Sequence, residues 1–134
     1  FMRREDKDWR GMKEVKLDLL DAHVKAFKNG EHFIEKPLIE YDSNTSQNTN
    51  FNFFGANLLI VEGTYTSTLS NIDIRIFIDR NFHQTLKHRQ NRNRNSSELA
   101  DFTKQILQKE HTIISKHRAL ADIIINSDYS VEFQ

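Results

Sequence analysis

Three short aliphatic runs constrain the fold more than any other feature: "NLLIVEG" (57–63), "IDIRIFID" (72–79) and "ADIIIN" (121–126). An apolar run with little polar interruption reads as a strand covered on both faces, the pattern of an internal strand in a parallel sheet. Between the second and third runs lies "SSELADFTKQILQKEHTIISKHRAL", where Leu99, Phe102, Ile106 and Ile113 fall on one side of a long helix. Upstream, "EVKLDLLDAHVKAFKNG" sets Leu17, Leu20, Val24 and Phe27 at helical spacing, with Asn29-Gly30 as the stop. "FIEKPLIEY" (33–41) and "TNFNFF" (49–54) flank an Asn/Ser/Thr-rich stretch and predict a β-hairpin. Asn81 with Gln84 three residues later predicts a helix N-cap, after which Phe82, Leu86 and Arg89 share a face. "SVEF" near the end predicts a further strand. Alternating strands and helices define an α/β chain: a mostly parallel sheet with flanking helices and a small hairpin insertion, in one domain spanning residues 1–134.

Open sheets of this kind place ligands at the carboxyl ends of their strands. Glu62, Asp79 and Asn126 are expected there, one per strand. Composition narrows the chemistry. Nineteen basic residues balance nineteen acidic ones, which argues against a general polyanion binder. There is no cysteine, hence no disulfide or thiolate metal site, and a reducing, cytoplasmic setting is expected. No apolar run approaches the roughly 20 residues of a membrane span, and "FMRREDKDWR" has no signal-peptide core. Membrane partners are therefore not expected, and the glycosylation patterns at Asn44 and Asn95 carry no weight.

A carboxylate at a strand tip, such as Glu62, can hold Mg²⁺ beside a phosphate chain, and Gly63 lets the chain turn sharply after it; the plainer reading is a solvated charge. "LKHRQNRNRN" gathers Lys87, Arg89, Arg92 and Arg94 with no acid among them. The guanidinium fork matches phosphate oxygens in pairs. The run reads as a lid over nucleotide phosphates, as a nucleic-acid patch, or as a solvated helix end. Aromatic stacking partners are missing from it, which argues against nucleic acid. The six histidines show no metal-ligand spacing. Trp9 reads as a packing anchor, and Tyr41 as either structural or a stacking residue.

The order "GEHFIEKPLIEYDSNT", "NLLIVEG", "IDIRIFID", an Arg-x-x-Arg segment and "ALADIII" resembles the uridine kinase and phosphoribulokinase-like family of P-loop kinases, from about Trp9 to Ile125. The resemblance implies a P-loop NTPase-like fold, ATP and Mg²⁺ as cofactors, and a nucleoside or related small-molecule alcohol as phosphoryl acceptor. It implies that Glu62 helps bind Mg²⁺ and that Arg89 and Arg92 reach toward phosphates, with Arg94 as a later lid arginine within a lid at 87–97. Tyr41 falls on a hairpin aromatic that lies against the acceptor base, with Asn44 beside it. Asn126 falls near the adenine pocket. Ile39 and Asn44 stand where uridine kinases carry tyrosine and histidine, so an acceptor other than uridine stays open.

The chain contains no G-x-x-x-x-G-K-[ST] and no aspartate motif of the kind that supplies the family's catalytic base. "FMRREDKDW" matches the stretch that follows that aspartate, so the chain is expected to be the carboxyl-terminal part of a longer kinase and inactive alone. A non-catalytic module binding RNA or a protein on the same scaffold is the alternative. Open sheet edges leave room for a homo-oligomer.

Overall fold

The computed structural model describes residues 11–40, 45–81, 83–85 and 101–134. The architecture is mixed α/β, with one two-stranded and one three-stranded sheet, and the chain divides into two compact units, Phe1–Asn71 and Ile72–Gln134.

In the first unit, helix α1 (Leu17–Lys28) carries the anticipated stripe: Val24 is buried and Leu17, Leu20 and Phe27 are half-buried. Its end follows from backbone chemistry. Gly30 adopts φ +83°, which a glycine reaches without steric cost. That turn lets Glu31 N–H donate to the Ala26 carbonyl and Gly30 N–H to that of Phe27, each at 3.0 Å, the paired closure of a Schellman motif. Strands β1 (Phe33–Glu40) and β2 (Thr45–Asn52) form the expected antiparallel hairpin, in register from Phe33 opposite Asn52 to Glu40 opposite Thr45. The second strand starts earlier than the apolar pattern suggested, because backbone pairing extends through polar residues. Ile34 is buried, and Phe27 meets Phe53 edge to face with ring centroids 5.5 Å apart. Tyr65 and Leu69 complete this core. Asp21 of α1 accepts hydrogen bonds from both the backbone N–H and the side-chain amide of Asn71, at 3.0 and 2.8 Å.

In the second unit, β3 (Ile76–Ile78) pairs in parallel with β4 (Ile123–Ile125), which pairs antiparallel with β5 (Val131–Phe133). Helix α2 (Asp101–Ile114) and a 3₁₀ segment (Ser115–Leu120) lead into β4. Register assigns the faces. Phe77, Ile124 and Glu132 line up on one side, and Ile124 is fully buried there, with Ile106, Leu107, His117 and Ala121 also in the core. The other side bears Ile76, Ile78, Ile123, Ile125, Val131 and Phe133, with Ile76, Ile78, Val131 and Phe133 largely exposed. Asn81 and Gln84 cap the helical turn at 83–85 reciprocally: Gln84 N–H donates to Asn81 Oδ1 at 3.0 Å and Asn81 N–H to Gln84 Oε1 at 2.9 Å.

Two expectations need correction. The sheet is not mostly parallel: of the three pairings among the described residues, only β3–β4 is parallel. "NLLIVEG" is not an internal strand. Residues 57–63 join neither sheet, and Leu58 and Ile60 are 76% and 79% exposed while Leu59 and Val61 are half-buried. An apolar run signals double burial only where neighbouring strands flank it, and none of the described strands does.

Burial also lowers the pKa of His117, because desolvation penalises the imidazolium. The unfolded chain then binds this proton more readily than the folded one. Stability contributed here is present above about pH 6.5, the ordinary histidine value, and falls as pH drops through that value toward the lowered folded one. Urea midpoints at pH 7.5 and 5 are expected to differ in that direction, with the difference shrinking in His117→Gln.

Candidate functional site: a cleft at the carboxyl ends of β3 and β4

Because β3 and β4 run in parallel, their carboxyl ends emerge side by side. Asp79 follows the first and Asn126 the second, and Asp79 N–H continues the ladder to the Ile125 carbonyl at 2.8 Å. A cleft of about 640 Å³ opens at this rim. Its floor is Phe77 through Asn81, one wall is His111, Ile114, Ser115 and Arg118, and the other is the β4–β5 turn with Glu132. That is the size of a small-molecule site.

Arg118 organises the interior. It sits on the 3₁₀ segment, whose tighter winding follows α2 directly. Its Nε donates to Asp79 Oδ2 at 3.0 Å and its Nη2 to Glu132 Oε2 at 3.2 Å, so one guanidinium ties β3, β5 and the helical wall together. Glu132 then accepts from the Asn126 side-chain amide at 2.7 Å, and that amide also donates to Ser130 Oγ at 3.0 Å. A carboxylate accepts only. Asn126 must therefore point its nitrogen at Glu132, leaving Oδ1 as an acceptor. Across the turn, Ser130 donates through N–H and Oγ–H to Asp128 Oδ1, at 2.9 and 2.6 Å. The hydroxyl bond is the leading reason that the Asp128 carboxyl titrates below its usual range.

The charge balance says what this cleft suits. Arg118 offsets only one of the two carboxylates it binds, Asp79 and Glu132; with Asp128 and Arg80 the lining carries three carboxylates against two guanidinium groups. Such a site is polar, carries one surplus carboxylate and is only partly walled by apolar groups. It matches an uncharged planar ring with a sugar better than a chain of phosphates.

Of the residues singled out from sequence, Asn126 lines this cleft, and so does Asp79. Glu62 belongs to the other compact unit, is exposed, and does not end a strand. The turn after it is real: Thr66 Oγ1 donates to the Gly63 carbonyl at 3.0 Å, and a Cβ on residue 63 would come within 3.2 Å of Thr66 Cγ2. Among the described residues no group of three or more His, Asp or Glu side chains is placed to hold a metal ion. Tyr41, Asn44, Arg89, Arg92 and Arg94 lie outside the described residues. Sequence reading missed Arg118 and His111, absorbed into an amphipathic helix. The usable signal was "SKHRAL", a basic helix end directly before a buried strand.

Comparison with protein-family models, with curated proteins and with solved structures returned no match. Among the described residues, no helix is long and apolar enough to cross a membrane.

Proposed function

We propose that this chain is the nucleoside-holding portion of an ATP-dependent small-molecule kinase with a P-loop NTPase-like fold, and that the cleft of the second unit receives the adenosine end of the nucleotide. The observation that carries the reading is the pinned orientation of Asn126: the Glu132 carboxylate fixes its amide nitrogen at 2.7 Å and so presents Oδ1 as an acceptor at a parallel-sheet rim. An acceptor at that position selects a ring bearing an exocyclic amino group, and a site built around a polar contact discriminates strongly against rings that lack it.

With one carboxylate in excess, the cleft leaves the phosphates to other groups. In this reading Arg89, Arg92 and Arg94 reach them from the lid segment, since phosphoryl transfer rests on positioning and charge neutralisation. Tyr41 and Asn44 would serve the phosphoryl acceptor, whose hydroxyl is that of a nucleoside or a related alcohol. Glu62, an exposed carboxylate, would be the residue that holds Mg²⁺, which would supply neutralisation of phosphate charge.

Calorimetric titration of the chain is the test. Adenosine and ATP are expected to bind, ATP more tightly, and inosine at least tenfold more weakly than adenosine, since its ring presents a carbonyl where adenine has the amine and bears no other exocyclic amine. With no phosphate cradle in the sequence, no transfer from ATP to uridine is expected from the chain alone. Equal affinity for adenosine and inosine contradicts the reading, as does salt-sensitive RNA binding without a nucleotide effect.

A further inference from the structure

We infer that Tyr129 is a stacking platform for the planar ring of a nucleobase entering the cleft, an inference that rests on the adenosine reading above and adds a residue to it. The β4–β5 connection is a tight turn. Tyr129 N–H donates to the Asn126 carbonyl at 2.9 Å, and Asn126 N–H to the Ser130 carbonyl at 2.9 Å. Tyr129 takes the left-handed position of this loop, with φ +68°. Short hairpin loops place glycine or asparagine there because a Cβ is crowded. A bulky aromatic at positive φ is an outlier that the surrounding structure must sustain, and such outliers cluster at ligand clamps.

Burial does not explain why this chain carries tyrosine there, since the residue is 72% exposed. One face of the ring is covered: the Arg80 guanidinium carbon lies 4.7 Å from its centroid. Arg80 is itself fixed, donating from Nη2 to the Ser127 carbonyl at 3.1 Å. A largely exposed ring with a cation on one face offers its other face to solvent. Ser127, Asp128 and Ser130 of the same turn line the cleft, and so does Arg80. Tyr129 does not itself line the cleft; it stands between the lining residues Asp128 and Ser130, beside Arg80, at a backbone position that opposes a bulky side chain. A nucleobase is a ligand class that uses such a surface, since every base has a π-face.

The test titrates the full chain with adenosine, ATP and inorganic tripolyphosphate, comparing wild type with Tyr129→Phe, Tyr129→Ala and Tyr129→Gly, and records each melting temperature. Tyr129→Phe should bind adenosine within about twofold of wild type. Tyr129→Ala and Tyr129→Gly should weaken adenosine and ATP by about 5- to 150-fold, the range of one base–aromatic stack, and leave tripolyphosphate unchanged. Tyr129→Gly should at the same time melt higher than wild type, because glycine relieves the left-handed conformation. A purely structural tyrosine gives the opposite pairing, with glycine binding as well as wild type. Unchanged adenosine affinity in the alanine and glycine variants overturns the inference, as does no adenosine binding by wild type at millimolar concentration. If adenosine binds through Tyr129 but ATP binds no tighter, the platform stands and the kinase reading fails. If ATP binds better than adenosine and neither depends on Tyr129, the kinase reading stands and the platform fails.

Discussion

Ile124→Ala should lower stability by about 2–5 kcal/mol, the range for truncating a large aliphatic side chain in a packed core. Ile124 is the fully buried residue of the central strand β4, and it faces the same side as Phe77 and the helical wall. Removing three carbons loses their transfer free energy and leaves a void that short strands on both sides cannot close. Against a total of about 5–15 kcal/mol for an ordinary domain, the loss is a large fraction. Phe133→Ala is the internal control. That ring is larger but 80% exposed on the opposite face, so its loss should change stability by less than about 0.5 kcal/mol. Urea unfolding followed by circular dichroism checks both. A larger loss at Phe133 than at Ile124 would mean that the sheet's faces are assigned the wrong way round.

The second large effect is on binding rather than folding. Arg118→Ala should weaken adenosine binding tenfold or more. The two ion pairs are each about 40–50% exposed on both partners, so their direct contribution to stability is at most about 1 kcal/mol apiece. Their contribution to the cleft is larger. Without the guanidinium, Asp79, Glu132 and Asp128 repel one another with Arg80 as the remaining guanidinium, so the rim that frames the ligand loses its fixed geometry. Glu132 also loses the contact that holds it against Asn126, and the acceptor orientation of Asn126 relaxes. Arg118→Lys should recover part of the affinity, since an ammonium keeps the charge but cannot bridge both carboxylates with a planar fork. Calorimetry on the three proteins checks this. If lysine and alanine behave alike, bridging geometry outweighs charge; if all three bind equally, Arg118 has no part in the site.

Particular residues show what the sequence made legible. Helix α1 was readable at both levels, because Leu17, Leu20, Val24 and Phe27 repeat at 3.6 residues and Gly30 supplies the one backbone conformation its Schellman closure needs. The Asn81–Gln84 cap was equally direct, since its chemistry is local and complete within four residues. "NLLIVEG" misled because hydrophobicity reports a preference for burial and says nothing about which strand lies alongside. β4, with nearly the same apolar character, found two partners; residues 57–63 joined neither described sheet. Asn126 was placed at a strand end from pattern, but the Glu132 bond that orients it spans a hairpin whose turn geometry no motif announced. Tyr129 was invisible for the same reason: its backbone conformation runs against the preference of its residue type. Arg118 was hidden by a switch from α to 3₁₀ winding after Ile114, which turns a helix-end cation into the keystone of the cleft.

Everything functional rests on the cleft at the carboxyl ends of β3 and β4 being where a nucleotide binds. Amide shifts of the isotope-labelled chain titrated with ATP locate that contact residue by residue. Perturbations should concentrate in three stretches distant in sequence, Asp79–Gln84, His111–Arg118 and Asn126–Glu132, and should saturate together with one dissociation constant. Saturation with those three stretches unmoved, or perturbations confined to Phe1–Asn71, would contradict it.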